Sequence, residues 1–488
     1  MEEKSADFEY FDVLIIGAGV SGINCAYRLQ TQAPSTSFTV LEGRGDVGGT
    51  WDLFKYPGIR SDSDLYTYGF EWAPWPYDTP IAEGPLVKQY LRECAAQEGI
   101  DRHIHFNHRV LAAHWSSESA QWTITVSHDD LVKEYRGRFL IMGTGYYDYE
   151  KLPQVKVPGI EDFKGDVLHP QFWPEDYDYT GKKMAIIGSG ATAITLFPNL
   201  AKKAAQVAII QRTPSYIIAS DNSANPKSWS RRLLPRAIIL RWERYRRMTL
   251  FWIFVLYCKY FPKKARALLH NMTVPQLPLT ISHDPHFEPW YYPWQQRLCI
   301  SPDGDFFKAL HRPGMSMVTG YIDTVTENGI RMKEGTSIEA DAIITATGFR
   351  MELGGHIAMT VDGEEVNWGR RLLWNGTMVQ DIPNMLYMIG YTNSSWTLGA
   401  DNAAHILLRL MAYMKRKDVK AAVPRAPPAG VSKTQKMWAL NSTYVEAAQE
   451  RLPQCGYEGP WRPRRENPPI DYVLARYGDI TSCLQFSA

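Results

Sequence analysis

Two glycine-rich turns carry the chemistry this chain can be expected to do: Gly17-Ala18-Gly19-Val20-Ser21-Gly22 and Gly188-Ser189-Gly190-Ala191-Thr192-Ala193. Each closes an apolar run, Phe11-Asp12-Val13-Leu14-Ile15-Ile16 in the first case and Met184-Ala185-Ile186-Ile187 in the second. The first then opens a helical pattern through Ile23, Ala26 and Leu29. A tight strand-to-helix turn of this kind presents backbone N–H groups and the positive end of a helix dipole to a pyrophosphate. What separates the two turns is the residue that ends the following strand. Glu42 ends Phe38-Thr39-Val40-Leu41-Glu42, 42 − 22 = 20 residues past the last glycine, where a carboxylate accepts from ribose hydroxyls, as FAD or NAD requires. Arg212, followed by Thr213, stands 212 − 193 = 19 residues past Ala193. There a guanidinium holds the 2′-phosphate that a carboxylate would repel, which suits NADPH. One turn alone is weak evidence, because glycine also serves purely conformational needs. Two turns with opposite readers predict electron transfer between two bound dinucleotides.

The elements that must position these turns divide the chain. An α/β fold with two Rossmann-like dinucleotide-binding domains is expected, one for FAD and one for NADPH. Residues 1–145 read as the first part of the FAD-binding domain, with an aromatic irregular stretch from Trp51 to Tyr77, a helix near 85–99, and strands at Trp122–Val126 and Phe139–Met142. A linker punctuated by Pro153, Pro158 and Gly159 leads into residues 146–219, the first part of the NADPH-binding domain. Residues 220–294 are basic, aromatic and proline-broken, the signature of a helical insertion. Residues 295–348 complete the NADPH domain with strands at Met317–Ile322 and Ala342–Gly348, the latter a buried parallel-type run. Residues 349–488 return to the FAD domain through a helix at Ala403–Tyr413 and a proline-rich tail.

Composition excludes several classes. With 488 residues, 45% hydrophobic and 22% charged, the chain supports two or three full cores and is not dominated by disorder. A formal charge of +1 provides no global field for nucleic acid. The six cysteines contain no Cys-x-x-Cys pair, so neither a dithiol relay nor a zinc site is expected. A reducing compartment fits them, and the acidic start Met-Glu-Glu-Lys-Ser-Ala-Asp leaves no signal peptide, so a cytoplasmic enzyme is expected. The apolar run Leu250–Tyr257 is far short of the roughly 20 residues that span a bilayer. Its flanks, Arg241, Arg244, Arg246, Arg247, Lys259, Lys263 and Lys264, leave two readings open: a buried helix with basic ends, or a surface helix that dips into lipid headgroups.

Phe163-Lys164-Gly165-Asp166-Val167-Leu168-His169-Pro170-Gln171-Phe172-Trp173-Pro174 resembles the F-x-G-x-x-x-H-x-x-x-W-P signature of type I Baeyer-Villiger monooxygenases at every fixed position. Gly48-Gly49-Thr50-Trp51 through Tyr56-Pro57-Gly58 to Asp62 resembles the family's G-G-x-W-x-x-x-x-Y-P-G-x-x-x-D, again without mismatch. Within the family, Ile59–Leu65 and Pro293–Cys299 look most like the bacterial ethionamide-activating type.

The resemblance implies a flavoprotein that uses NADPH and O2, forms a C4a-peroxyflavin, and inserts one oxygen beside a ketone carbonyl to give an ester or lactone. Thioethers are expected as side substrates. Arg297 matches the family's catalytic arginine, a cation that cannot surrender its proton to the peroxide. Asp62 matches the aspartate that orients it, and Thr50, Trp51 and Tyr68 look like flavin contacts. His169 and Trp173 are read as a structural histidine and a packing anchor that couple domain motion. One position departs: Gln296 stands where many relatives carry a lysine, so discrimination for NADPH rests on Arg212 and Thr213. Two competing readings remain, an oxygenase of nitrogen and sulfur only and an NADPH-binding redox sensor. The presence of Trp173-Pro174, Asp62 and Arg297 argues against them.

Overall fold

Val13, Leu14 and Ile15 are wholly buried, as unbroken apolar runs must be when a strand is covered on both faces. In the computed structural model, which describes residues 8–223, 234–427, 433–438, 440–464 and 467–488, their strand Phe8–Ile16 lies at the centre of a parallel ladder. It pairs with Phe38–Leu41 on one side and Leu131–Met142 on the other. Ile104–His105 and Met385–Tyr387 extend the ladder outward. An antiparallel meander of Arg109–Ser116, Gln121–His128 and the first half of Leu131–Met142 continues the sheet. Five of its eleven strands come from beyond residue 349, so the chain returns to this sheet after leaving it.

The second sheet is wholly parallel, in the order Met315–Thr319, Gln206–Gln211, Lys183–Ile187, Ala342–Thr345, Asp166–Leu168. The single strand expected over Met317–Ile322 is in fact two. Gly320 donates to the carbonyl of Gln211 at the end of the parallel ladder, Tyr321 turns out to solvent, and Ile322–Thr326 starts a separate antiparallel hairpin with Gly329–Met332.

The helix expected at Ala403–Tyr413 runs from Trp396 to Lys417. Its first turns hide from apolar periodicity because the buried residues there include Asp401 and Asn402. Asp401 is satisfied by Arg28 and Asn24 of the helix Val20–Gln32 packed against it. Asp418, in the left-handed conformation, ends the helix. The tail packs on this first body: the helix Pro468–Tyr477 lies on Trp396–Lys417, and Leu484–Ser487 pairs with Ala421–Pro424. Between the paired strands Ile217–Ser220 and Cys299–Pro302 lie the long helix Arg236–Tyr260 and its successor Pro262–Thr273. No helix among the described residues is long and apolar enough to cross a membrane. The six cysteines are free thiols, and five of them are buried.

Both nucleotide turns depend on a close approach of backbone to backbone. A Cβ on Gly22 would stand 1.9 Å from the carbonyl oxygen of Gly17, and one on Gly188 2.2 Å from that of Ala346. Neither oxygen can retreat, because each belongs to the turn or strand end being packed. Gly22→Ala is therefore expected to destabilise the protein by about 1–3 kcal/mol, the usual range for overpacking. The check is a lower thermal unfolding midpoint, and an unchanged midpoint would contradict the packing argument.

Candidate functional site

A cavity of about 490 Å³ opens at the first glycine turn and runs along the end of the first sheet. Gly17 and Gly19 form its inner end, and Gly22 sits behind them in the helix, where it lets the turn close. The helix Val20–Gln32 starts there with no side-chain cap and no acidic residue in its first turn, which keeps its N–H groups available to an anion. Glu42 lines the same cavity, with one carboxylate oxygen 2.7 Å from the N–H of Ala18 and the other 3.0 Å from that of Arg44. Burial raises its carboxyl above the ordinary range, against the pull of those two N–H donors.

Farther along, Thr50, Trp51 and Tyr68 form the wall. The indole N–H of Trp51 donates to the Tyr68 hydroxyl at 2.8 Å, and the two rings meet edge to face. Each ring therefore fixes the other. Thr50 Oγ1 lies 3.4 Å from the hydroxyl of Tyr149.

The far end of the cavity is formed by Asp62 and Arg297, whose charged groups approach to 3.5 Å. They arrive from segments 297 − 62 = 235 residues apart, Asp62 in the loop after Tyr56-Pro57-Gly58 and Arg297 just before the strand Cys299–Pro302. The negative charge of Asp62 raises the guanidinium pKa further, although burial alone would lower it. Burial pushes the neighbouring phenol of Tyr146 up to about 12, so it stays neutral. A permanent cation therefore faces the cavity, with 35% of its side-chain surface still accessible.

Arg297 also faces a second, smaller cavity of about 90 Å³. Asp62, Ser63, Ser394 and Arg297 are common to both, so the guanidinium stands in the partition between them. The second cavity is mostly apolar, with Met248, Phe251 and Phe254 of the long helix and Trp294 as its walls.

The second glycine turn is built like the first. Gly190 precedes the helix Ala191–Leu200 without a side-chain cap, and Ala193 is buried behind it. Ser189 Oγ donates to the carbonyl of Thr213 at 2.7 Å, which ties the turn to the end of the next strand. Arg212 is exposed at that strand end. Gln296 is half-buried next to Arg297.

His169 accepts from the N–H of Gln171 and sets its ring edge against Phe349. Trp173 is buried in a core shared with Leu53, Phe54 and Tyr56. The segment that ends in Trp173-Pro174 and the one that runs from Gly48 to Asp62 thus meet in one apolar cluster at the joint between the two sheets.

Sequence reasoning missed Asp148. Its wholly buried carboxylate pairs with Arg350 at 3.1 Å and His356 at 2.9 Å, and accepts from the N–H groups of Glu150 and Lys151. Gln171 donates to its carbonyl oxygen at 2.7 Å. Burial would raise this carboxyl, but the His356 contact and the two N–H donors hold it below the ordinary range. The available signal was position: Asp148 follows Gly143-Thr144-Gly145, where the chain leaves the first sheet, and Arg350 follows Gly348, where it returns.

Two nucleotide-binding turns on two α/β sheets, with a fixed cation at the end of one cavity, define a two-dinucleotide oxidoreductase architecture. Residues 11–238 match the model of the flavin-binding monooxygenase-like family. The chain is 41% identical to the FAD-containing monooxygenase EthA of Mycolicibacterium smegmatis, over 97% of this chain and 96% of that one. It is 39% identical to EthA of Mycobacterium tuberculosis, over 97% and 96%. The chain belongs to this family of flavin-dependent monooxygenases, as the sequence resemblance implied. Its fold matches a steroid monooxygenase bound to NADP (TM-score 0.75, 20% identity, 98% of this chain and 99% of the other). It also matches cyclohexanone monooxygenase bound to ε-caprolactone (TM-score 0.74, 18% identity, 98% and 100%).

The joint has a pH signature. Burial lowers the His169 pKa from 6.5 to about 4, so as pH falls the unfolded chain takes up this proton first. The stability contributed by the neutral ring is complete above about pH 6.5 and is lost progressively toward pH 4. His169→Gln keeps an acceptor but does not titrate. Its drop in melting temperature between pH 7.5 and pH 5 should be smaller than that of the wild type, and an equal drop would contradict the assignment.

Proposed function

We propose that this protein is an FAD- and NADPH-dependent monooxygenase that converts ketones to esters or lactones, with thioethers as additional substrates. The observation that carries the reading is Arg297, a permanent cation paired with Asp62 in the partition between the long nucleotide cavity and a small apolar one.

The residues present fit the cofactors. Gly17 and Gly19 leave room where a side chain would intrude on a pyrophosphate, Glu42 offers its remaining acceptor capacity to ribose hydroxyls, and the Trp51–Tyr68 wall suits a flat ring system. Arg212 and Thr213 would receive the 2′-phosphate of NADPH, with no help from Gln296. FAD reduced by NADPH supplies activated oxygen when both are bound. Everything else is the work of the chain.

In oxygen insertion beside a carbonyl, negative charge develops on the transferred oxygen and on the carbonyl oxygen. Arg297 would meet both from a position that Asp62 fixes in advance, so little reorganisation is needed at the moment of reaction. Because its pKa lies above even the ordinary arginine value, the guanidinium stabilises charge without donating a proton. Met248, Phe251, Phe254 and Trp294 would hold the apolar part of the substrate and keep water from the reacting carbon. Asp148 and His169 would act at the joint between the two sheets, as positioning residues.

Arg297→Ala should reduce ester formation from a linear ketone by about 10²–10³-fold, the usual effect of removing a preorganised charge-stabilising group. NADPH-driven flavin reduction should stay within a few-fold of wild type in stopped-flow measurements. Asp62→Ala should fall between the two. Undiminished ester formation in Arg297→Ala would contradict the mechanism, and sulfoxide without any ester from the wild type would favour an oxygenase of nitrogen and sulfur.

A further inference from the structure

The long helix Arg236–Tyr260 is apolar on two opposite faces. Its inner face, with Phe251 and Phe254, lines the apolar cavity beside Arg297. Its outer face carries Trp242, Ile253 and Tyr260, which are 67%, 53% and 68% exposed, together with exposed Ile238 and Tyr245. At 3.6 residues per turn these five side chains fall within an arc of about 80°. A surface helix of a globular protein ordinarily turns charged residues to that side.

The exposed apolar surface does not end with this helix. Tyr245 lies near Tyr472 of the C-terminal helix Pro468–Tyr477, where Val473 and Tyr477 are also exposed. After the turn at Phe261, the helix Pro262–Thr273 adds exposed Leu268 and Met272. An exposed apolar stripe on one helix, with further exposed apolar side chains on the next helix and on the C-terminal one, marks an interaction site.

Its charge identifies the partner. From residue 236 to 273 there are nine basic residues and a single acid, Glu243; Arg244 is buried and Arg247 pairs with Asp64, while Arg236, Arg241, Arg246, Lys259, Lys263 and Lys264 are exposed. Elsewhere the chain must compensate, because its total formal charge is only +1. Exposed Arg241 and Lys259 lie on one flank of the apolar stripe and Arg246 on the other, a placement that lets their alkyl stems follow an apolar contact while the charges stay wet. A second copy of the chain is a poor partner, since a twofold contact would set this cationic face against itself. An anionic lipid surface satisfies both features at once, burying the stripe and neutralising its flanks.

We infer that the two insertion helices form a peripheral membrane-docking surface, which binds the headgroup region of an anionic bilayer with the outer face of Arg236–Tyr260. The inner face of the same helix walls the apolar cavity, so docking would bring that cavity next to a reservoir of apolar molecules. Docking rests on the helix surface alone and holds whatever the cavity oxygenates.

The test is co-sedimentation of the FAD-loaded protein with phosphatidylcholine vesicles, with and without about 30 mol% phosphatidylglycerol, the anionic component that juxtamembrane cations attract. Binding is expected on the anionic vesicles, weaker in high salt, and at least tenfold weaker on neutral ones. Trp242→Ser/Ile253→Ser should lower it at least tenfold while retaining FAD and its reduction by NADPH. Should that variant fail to fold, Lys259→Glu/Lys263→Glu/Lys264→Glu, at exposed positions, should give the same loss. Failure of the wild type to bind anionic vesicles would overturn the proposal. So would equal binding by a folded variant, or a dimer in solution that the variant dissociates without any vesicle binding.

Discussion

Asp62 holds Arg297 in place, and a loop of alternating charges holds Asp62. Arg60, Asp62 and Asp64, every second residue of one short segment, each form an ion pair with a different downstream element. Arg60 pairs with Asp305 beyond the strand Cys299–Pro302, Asp62 with Arg297 just before it, and Asp64 with Arg247 on the long helix. Two of these contacts clamp the loop to the segment that carries the cation, and the third ties it to the long helix. The Arg297–Asp62 pair, with its charged groups 3.5 Å apart, presents 35% and 27% of its side-chain surfaces to the cavities it lines. Its value is geometric: it aims a charge at the partition between two cavities.

The same joint is stabilised from behind by uncharged packing. Trp173 from the linker segment and Phe54 and Tyr56 from the loop share a core with the strands of the second sheet. Asp148 ties the outgoing and returning chain together through its buried carboxylate, and its main-chain carbonyl accepts from Gln171. Breaking a buried pair costs far more than breaking an exposed one, because the surviving charge is stranded. The fully buried carboxylate thus sits where the chain leaves and rejoins the first sheet, and the more accessible pair at the partition between the two cavities.

What could be read from the residues follows from how local each signal is. The glycine turns and their readers were legible because strand, turn and helix are consecutive, and Gly17, Gly19, Glu42, Thr50, Trp51, Asp62 and Tyr68 do line one cavity with Arg297. The five strands contributed after residue 349 were not, since two- to four-residue strands such as Leu373–Trp374 have no period to detect. Asp148 was invisible for a different reason: a carboxylate reads as a turn residue until Arg350 and His356, two hundred residues later, fold over it. The start of Trp396–Lys417 was missed because Asp401 and Asn402 interrupt its apolar pattern, and only the partner helix with Arg28 accounts for them.

The claim on which the account depends is that Asp62 and Arg297 act as one unit. A double-mutant cycle measures this directly, using single-turnover ester formation in the wild type, Asp62→Ala, Arg297→Ala and the double variant. If Asp62 works by aiming Arg297, removing it from an enzyme that already lacks the arginine costs almost nothing, and the double variant reacts at the rate of Arg297→Ala. Losses that simply add would contradict the account, because they would mean that the two side chains contribute independently.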